Sequence, residues 1–267
     1  MVLRVENLGV SYIDRKKEVQ IIEDVSFKVK KRQCLGILGE SGSGKSMTCK
    51  AIMGLLGDSF NLEGKVYFNE KEILSLDENS KRKLRGKDFC MILQNPMTAF
   101  NPLFTIENQA IETFREHLDL TKGEARDLAI EALGKMNLSN PKEILNKYPH
   151  ELSGGMLQRI MIGITIALEP DLIIADEPTT AIDCINQIEV INELKLMKNK
   201  LKTSMIFITH DLGVLTQVAD EVIVMDKGRI IEQGSIEKII NNPKHKHTKY
   251  LIDTRYKLLK KFQEVLD

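Results

Sequence analysis

The 267-residue chain has no excess of either charge, with Lys plus Arg and Asp plus Glu at 38 each. A balanced chain carries no basic footprint for nucleic acid or for an anionic membrane surface, so no nucleic-acid partner is expected. No apolar run approaches the ~18 residues of a spanning helix. The opening Met1-Val2-Leu3-Arg4-Val5-Glu6 carries an acid inside its apolar stretch, so neither a membrane span nor a signal peptide is expected. Cysteine is scarce: Cys34, Cys49, Cys90 and Cys184 are scattered without a CxxC pair. Buried, reduced thiols of a cytoplasmic protein are the expectation. No internal repeat or low-complexity segment is visible, and 42% hydrophobic content supplies a sizeable core. A globular enzyme of one or two domains fits that length.

What is present is a phosphate-binding loop. Gly39-Glu40-Ser41-Gly42-Ser43-Gly44-Lys45-Ser46 fits GxxxxGK[ST] and follows the strand-like run Cys34-Leu35-Gly36-Ile37-Leu38. The glycines let several backbone N–H groups point at one anion; Lys45 reaches β and γ oxygens, and Ser46 can ligate Mg²⁺. A helix from about Lys45 to Leu56 adds its positive N-terminal end. Composition alone produces this pattern in a chain of this length on the order of 1% of the time.

A second motif decides the class. Leu152-Ser153-Gly154-Gly155-Met156 opens a helical run, Leu157 to Leu168, and Leu172-Ile173-Ile174-Ala175-Asp176-Glu177 is an apolar strand ending in two acids. Here the chain resembles the ATP-binding cassette (ABC) family of transporter ATPases. The resemblance extends to Tyr12 at the adenine-stacking aromatic, Gln94 at the Q-loop, Thr180-Ala181-Ile182-Asp183 at the D-loop and His210 at the switch histidine.

Strand-like runs at Arg4 to Tyr12, Asp24 to Lys30, Cys34 to Leu38 and Gly64 to Phe68 precede a buried-strand pattern, Phe89 to Leu93. Strands then vanish from Pro96 to Glu151, where Ala125, Leu128, Ala129, Ala132, Leu133 and Met136 recur at helical spacing. Alternation returns with Leu172 to Ala175, a helix from Cys184 to Lys200 and Ser204 to Ile208. Apolar strands alternating with helices imply a parallel sheet covered on both faces, with ligands at strand C-terminal ends. Past Gly234 a short helix and Pro243 lead to an amphipathic stretch with Leu251, Arg255, Leu258, Leu259, Phe262 and Leu266 on one side. The expected fold is α/β: a P-loop NTPase (RecA-like) core with an N-terminal antiparallel β subdomain and an inserted α-helical subdomain. The core with its β subdomain is expected over 1–95 and 160–240, the helical insertion with the signature over 96–159, and a C-terminal helical extension over 241–267.

The resemblance implies roles. Phosphoryl transfer to water needs placement of the γ-phosphate, Mg²⁺ and a water. Asp176 would hold Mg²⁺ together with Ser46 and Gln94, and Glu177 would accept the water's proton. His210 would bond the γ-phosphate and orient the water or Glu177. Residues Gly39, Glu40, Ser41, Gly42, Ser43, Gly44, Lys45 and Ser46 would bind ATP, and Tyr12 would stack on adenine; taken alone, Tyr12 is equally a strand aromatic of the core. Ser153, Gly154 and Gly155 form another helix-start anion site, which in the family faces ATP held by a second subunit, and Asp183 lies near that joint.

Asn95 to Pro102, the signature and the Asp176 strand look like those of the peptide and nickel importer branch. That implies a second, related ATPase subunit, two membrane permease subunits, an extracytoplasmic substrate-binding protein, and work at the cytoplasmic face of the membrane. Peptide relatives often end in a cysteine-bearing cluster segment, and no Cys follows Cys184 here. Nickel or a nickel chelate is the expected cargo, with di- or oligopeptides as the alternative and a non-transport ABC ATPase of DNA repair or translation behind both. Two segments depart from the family: Lys31-Arg32-Gln33 replaces a Gly-Glu turn, and Lys246-His247-Thr248 replaces a frequent His-Pro-Tyr-Thr.

Overall fold

The computed structural model describes residues 1–14, 17–179, 184–196 and 203–254. Strands β1 (Leu3–Asp14), β2 (Lys17–Val29) and β3 (Cys34–Leu38) lead to α1 (Lys45–Ile52), β4 (Phe60–Phe68) and β5 (Lys71–Glu72). Then come α2 (Glu78–Leu84), β6 (Phe89–Ile92), α3 (Ile106–His117), α4 (Lys122–Lys135), α5 (Pro141–Leu145) and α6 (Gly154–Ala167). The chain continues through β7 (Leu172–Asp176), α7 (Cys184–Leu196), β8 (Ser204–Ile208), α8 (Leu212–Val218), β9 (Glu221–Asp226), β10 (Arg229–Ser235) and α9 (Ile236–Asn241). Residues 246–254 are helical. Contacts group these elements into two units, residues 1–76 with 206–267, and residues 77–205.

In the first unit an antiparallel sheet has the order β2-β1-β4-β5. Leu3 and Val5 are buried, and so are Leu8 and Val10, so the inward parity switches partway along β1. The cause is a bulge: both pairings of β1 shift register there, Asn7 has φ 50°, and a Cβ on the facing Gly64 would stand 2.4 Å from the Asn7 carbonyl oxygen. Bulged pairing extends the strands well beyond the runs visible in sequence. The other strands of this unit lie in the order β10-β9-β3-β8. Strand β3 is buried throughout and pairs in parallel with β9, as its unbroken apolar run dictates. The sheet is not wholly parallel, because Lys227 and Gly228, at φ 46° and 78°, close a two-residue hairpin that lays β10 antiparallel on β9.

The second unit pairs β6 with β7 in parallel and carries helices α2 to α7. Helix starts follow cap chemistry: Asp77, Thr105 and Ser153 accept N–H bonds from Ser80, Asn108 and Met156, and Thr121 with Glu124 forms a capping box. Of the stripe read from sequence, helix α4 buries Ala125, Ala129, Ala132 and Leu133, Leu128 is half-buried, and Met136 is buried just past the helix end. The helix meets α6 at Gly163, where a Cβ would lie 3.0 Å from the Ala132 carbonyl oxygen. A side chain there would require the facing backbone to give by a few tenths of an ångström.

Helix α1 stops at Ile52, short of the expected Leu56, and α7 is described to Leu196. Cys34, Cys49 and Cys90 are buried, and burial pushes the Cys90 thiol up to about 12. The Lys31-Arg32-Gln33 turn puts Arg32 at φ 62°, where a family glycine would sit without strain. Gln33 compensates by accepting the Lys30 N–H at 2.9 Å. The amphipathic positions from Arg255 onward, and Thr180 to Asp183, lie outside the described residues.

Candidate active site

Strand β3 ends at Leu38 and the chain turns at Gly39, where a Cβ would stand 2.5 Å from the Met225 carbonyl oxygen. Gly42 and Gly44 hold φ of 80° and 102°, values that side chains resist, and a Cβ on Gly44 would also strike Ile22 at 2.4 Å. The loop so formed delivers α1 with no side-chain cap and no acid in its first turn. Its N–H groups keep their partial positive charge for an anion. Lys45 is 6% exposed, and its ammonium donates to the Gly39 and Glu40 carbonyls at 2.8 Å each. Ser43 is buried with no hydrogen-bond partner on its Oγ, and Ser46 is half-buried beside Lys45. A cradle lined by N–H groups, an orphaned hydroxyl and a buried cation fits a polyphosphate.

The loop is braced from the β9–β10 turn. The Gly228 N–H donates to the Ser43 carbonyl at 3.0 Å, and the Gly228 carbonyl accepts from the Glu23 N–H at 2.9 Å. A Cβ on Gly228 would be 2.0 Å from the Ile21 carbonyl oxygen. Sequence reasoning missed this residue. A Lys-Gly pair between two apolar runs marks a turn, but nothing local says which loop the turn supports.

His210 is exposed just past β8, between two fixed neighbours. The Thr209 hydroxyl accepts from the Asp211 N–H at 2.9 Å, and Asp211 caps α8 through the Gly213 and Val214 N–H groups at 2.8 and 3.3 Å. The histidine opens on a cavity of about 560 Å³ whose wall includes Gly39, Glu40 and Ser41, so the switch position and the phosphate loop share one space. Tyr250, Leu251 and Thr254 of the last described helix line the same cavity. Tyr12 is 37% exposed in β1, its ring tilted against Phe60 at 5.2 Å. One face remains available.

In the second unit β7 delivers Asp176, 5% exposed, and then Glu177, whose φ of 46° is a strained value for a side-chain residue. Because β6 runs parallel to β7, with Ile92 opposite Ala175, the segment after β6 emerges beside Glu177. The Gln94 amide donates to Glu177 Oε2 at 3.1 Å. Two residues read from separate motifs thus meet. Ser153 is exposed at the start of α6, its Oγ accepting from the Met156 N–H at 3.2 Å, followed by half-buried Gly154 and Gly155. No acid stands in that first turn, so it too presents uncompensated N–H groups. Asp183 lies outside the described residues.

The ABC transporter family profile matches residues 22–180, more than half of the chain. The chain belongs to the ABC transporter family. This ABC ATPase is 42% identical over 264 residues to the metal-staphylopine import system ATP-binding protein CntD of Staphylococcus aureus strain NCTC 8325 / PS 47, covering 99% of this chain and 97% of the relative. It is 41% identical over 248 residues to the oligopeptide transport ATP-binding protein OppD of Bacillus subtilis strain 168, covering 92% of this chain and 69% of the relative. A dimeric ATP-binding cassette solved in a post-hydrolysis state with ADP and Pi superposes with TM-score 0.80 at 24% identity, over 88% of this chain and 98% of that one. The fold is therefore a P-loop α/β cassette, and as a member of the ABC family the chain takes ATP with Mg²⁺. No described helix is long and apolar enough to cross a membrane.

Proposed function

We propose that this ATPase hydrolyses ATP at the cytoplasmic face of the membrane to energise an importer of nickel or a metal chelate. The end-to-end identity with the metal-staphylopine import ATPase carries the cargo reading. The nearly equal identity with the oligopeptide ATPase favours a second one, in which the cargo is a short peptide. Uptake of radiolabelled nickel, free and chelated, against a labelled peptide in cells lacking this chain tests the pair. Loss of peptide uptake alone would overturn the metal reading.

In the proposed chemistry, residues 39–46 hold the phosphates, Lys45 offsets their charge and Tyr12 stacks on adenine. Ser46, Asp176 and Gln94 are the donors suited to Mg²⁺, which when bound would neutralise charge developing on the phosphates. Glu177 accepts the proton of the attacking water and His210 bonds the γ-phosphate. The bond from Gln94 to Glu177 supports this division, since it fixes the carboxylate by one oxygen. Ser153, Gly154, Gly155 and Asp183 are assigned to a second, related cassette's ATP. The functional division we propose keeps the helical insertion at 96–159 and the extension at 241–267.

Two permease subunits and a substrate-binding protein complete the proposed importer. A surface suited to a membrane subunit follows Gln94 directly: Met97, Leu103 and Phe104 are 50%, 78% and 50% exposed. Gln109 fixes their loop, accepting from the Asn101 N–H at 2.8 Å and donating to the Asn101 and Phe104 carbonyls at 3.0 Å each. Adjacent apolar side chains displayed on an ordered loop mark an interaction surface.

A further inference from the structure

Helix α6 starts at the signature and is apolar along most of its length, yet it carries Gln158 with 0% exposure. The Gln158 amide donates to the Leu93 carbonyl at 3.3 Å, while its Oε1 is buried with no partner. A methionine would fill the same space without the orphaned acceptor, so packing alone does not explain an amide here. Leu93 is half-buried and immediately precedes Gln94, whose side chain bonds Glu177. A line of contacts runs from the signature along α6 to Gln158, Leu93, Gln94 and Glu177, all within the second compact unit.

We infer that Gln158 is a positioning residue for hydrolysis. It fixes the Leu93 carbonyl and thereby the reach of Gln94 to Glu177, so that engagement of an anion at the start of α6 is felt at this chain's own catalytic glutamate. A helix shifts as a rigid rod, and Gln158 moves with the signature. This rests on the roles proposed above for Gln94, Glu177 and the signature, and it gives the two ATP sites of a cassette pair a physical link.

The test is a double-mutant cycle in the assembled transporter, comparing wild type, Gln158→Met, Gln94→Ala and the double variant. Gln158→Met should lower kcat about 10-fold, leaving the unfolding midpoint and equilibrium ATP affinity unchanged. The double variant should be no slower than the slower single, because both break one line of contacts. Rates that multiply would overturn the inference, as would a wild-type rate in Gln158→Met beside a slow Gln94→Ala. A wild-type rate in Gln94→Ala would overturn the site reading and the inference together. If Met lowers the unfolding midpoint, Gln158→Asn, polar but too short to reach, takes its place in the cycle. Failure of both to fold assigns Gln158 a structural role and overturns the inference.

Discussion

Glu177, the proposed proton acceptor, combines a strained backbone with a carboxylate oxygen held by Gln94. Glu177→Gln should retain ATP binding, which rests on the phosphate loop, and lose about 100-fold or more in kcat. Steady-state hydrolysis near the wild-type rate would refute the assignment. Glu232 shows a different use of a carboxylate. Burial pulls its pKa up, but the Lys244 and His245 N–H groups, donating to its carboxylate at 2.7 and 3.0 Å, outweigh that and hold it below its ordinary 4.5. A depressed carboxylate stabilises the fold above its unfolded pKa and loses that contribution as pH falls through the folded value. Glu232→Gln should therefore be less stable than wild type at neutral pH, with the gap closing as pH falls below the ordinary 4.5 and through the lowered folded value. Equal unfolding midpoints at pH 7 would remove Glu232 as the anchor of the last described helix. The Thr of the departing Lys246-His247-Thr248 segment is fully buried.

At the scale of elements, the phosphate loop depends on a hairpin distant in sequence. Gly228→Ala meets both a positive φ and a 2.0 Å backbone approach, so it should cost about 2 kcal/mol or more and weaken ATP binding. Denaturant unfolding and equilibrium nucleotide titration would check both effects; wild-type values in each would show that the brace is dispensable. The apolar loop after Gln94 should behave oppositely. Replacing Leu103 and Phe104 with Ser removes exposed apolar surface, so ATP affinity and stability should hold while stimulation by the membrane subunits falls several-fold. Unaltered stimulation would move the docking surface elsewhere.

At the scale of the whole molecule, the chain carries one phosphate loop and one signature. In the proposed importer each ATP site takes its second half from another cassette, and the purified chain alone should hydrolyse ATP slowly until the partner and membrane subunits preorganise the joint. Hydrolysis measured for the chain alone, with the partner, and in the assembled complex should rise in that order. Transport-level turnover by a dilute monomer would overturn the composite site, and a working complex with two copies of this chain and no other cassette would overturn the heterodimer.

Much of the candidate site was legible locally. The loop 39–46, the paired Asp176-Glu177 and the capped signature helix are short-range patterns whose conformations follow from glycine, cap and strand chemistry, so the residues announce their own geometry. The helical stripe of α4 and the buried strands β3, β7 and β8 were equally plain, because periodicity reports burial. The bulge at Asn7, the antiparallel β10, the Gly228 brace, the Gln94–Glu177 bond and the buried Gln158 were not legible. Each depends on which distant segment ends up alongside, through a register shift, a turn meeting a loop, or an amide finding one carbonyl. The sequence by itself determined the family's motifs and the candidate groups for binding and cleaving a nucleotide. Only the tertiary structure decided which of them touch, since contacts between distant segments are set by how strands and helices pack and leave no local pattern.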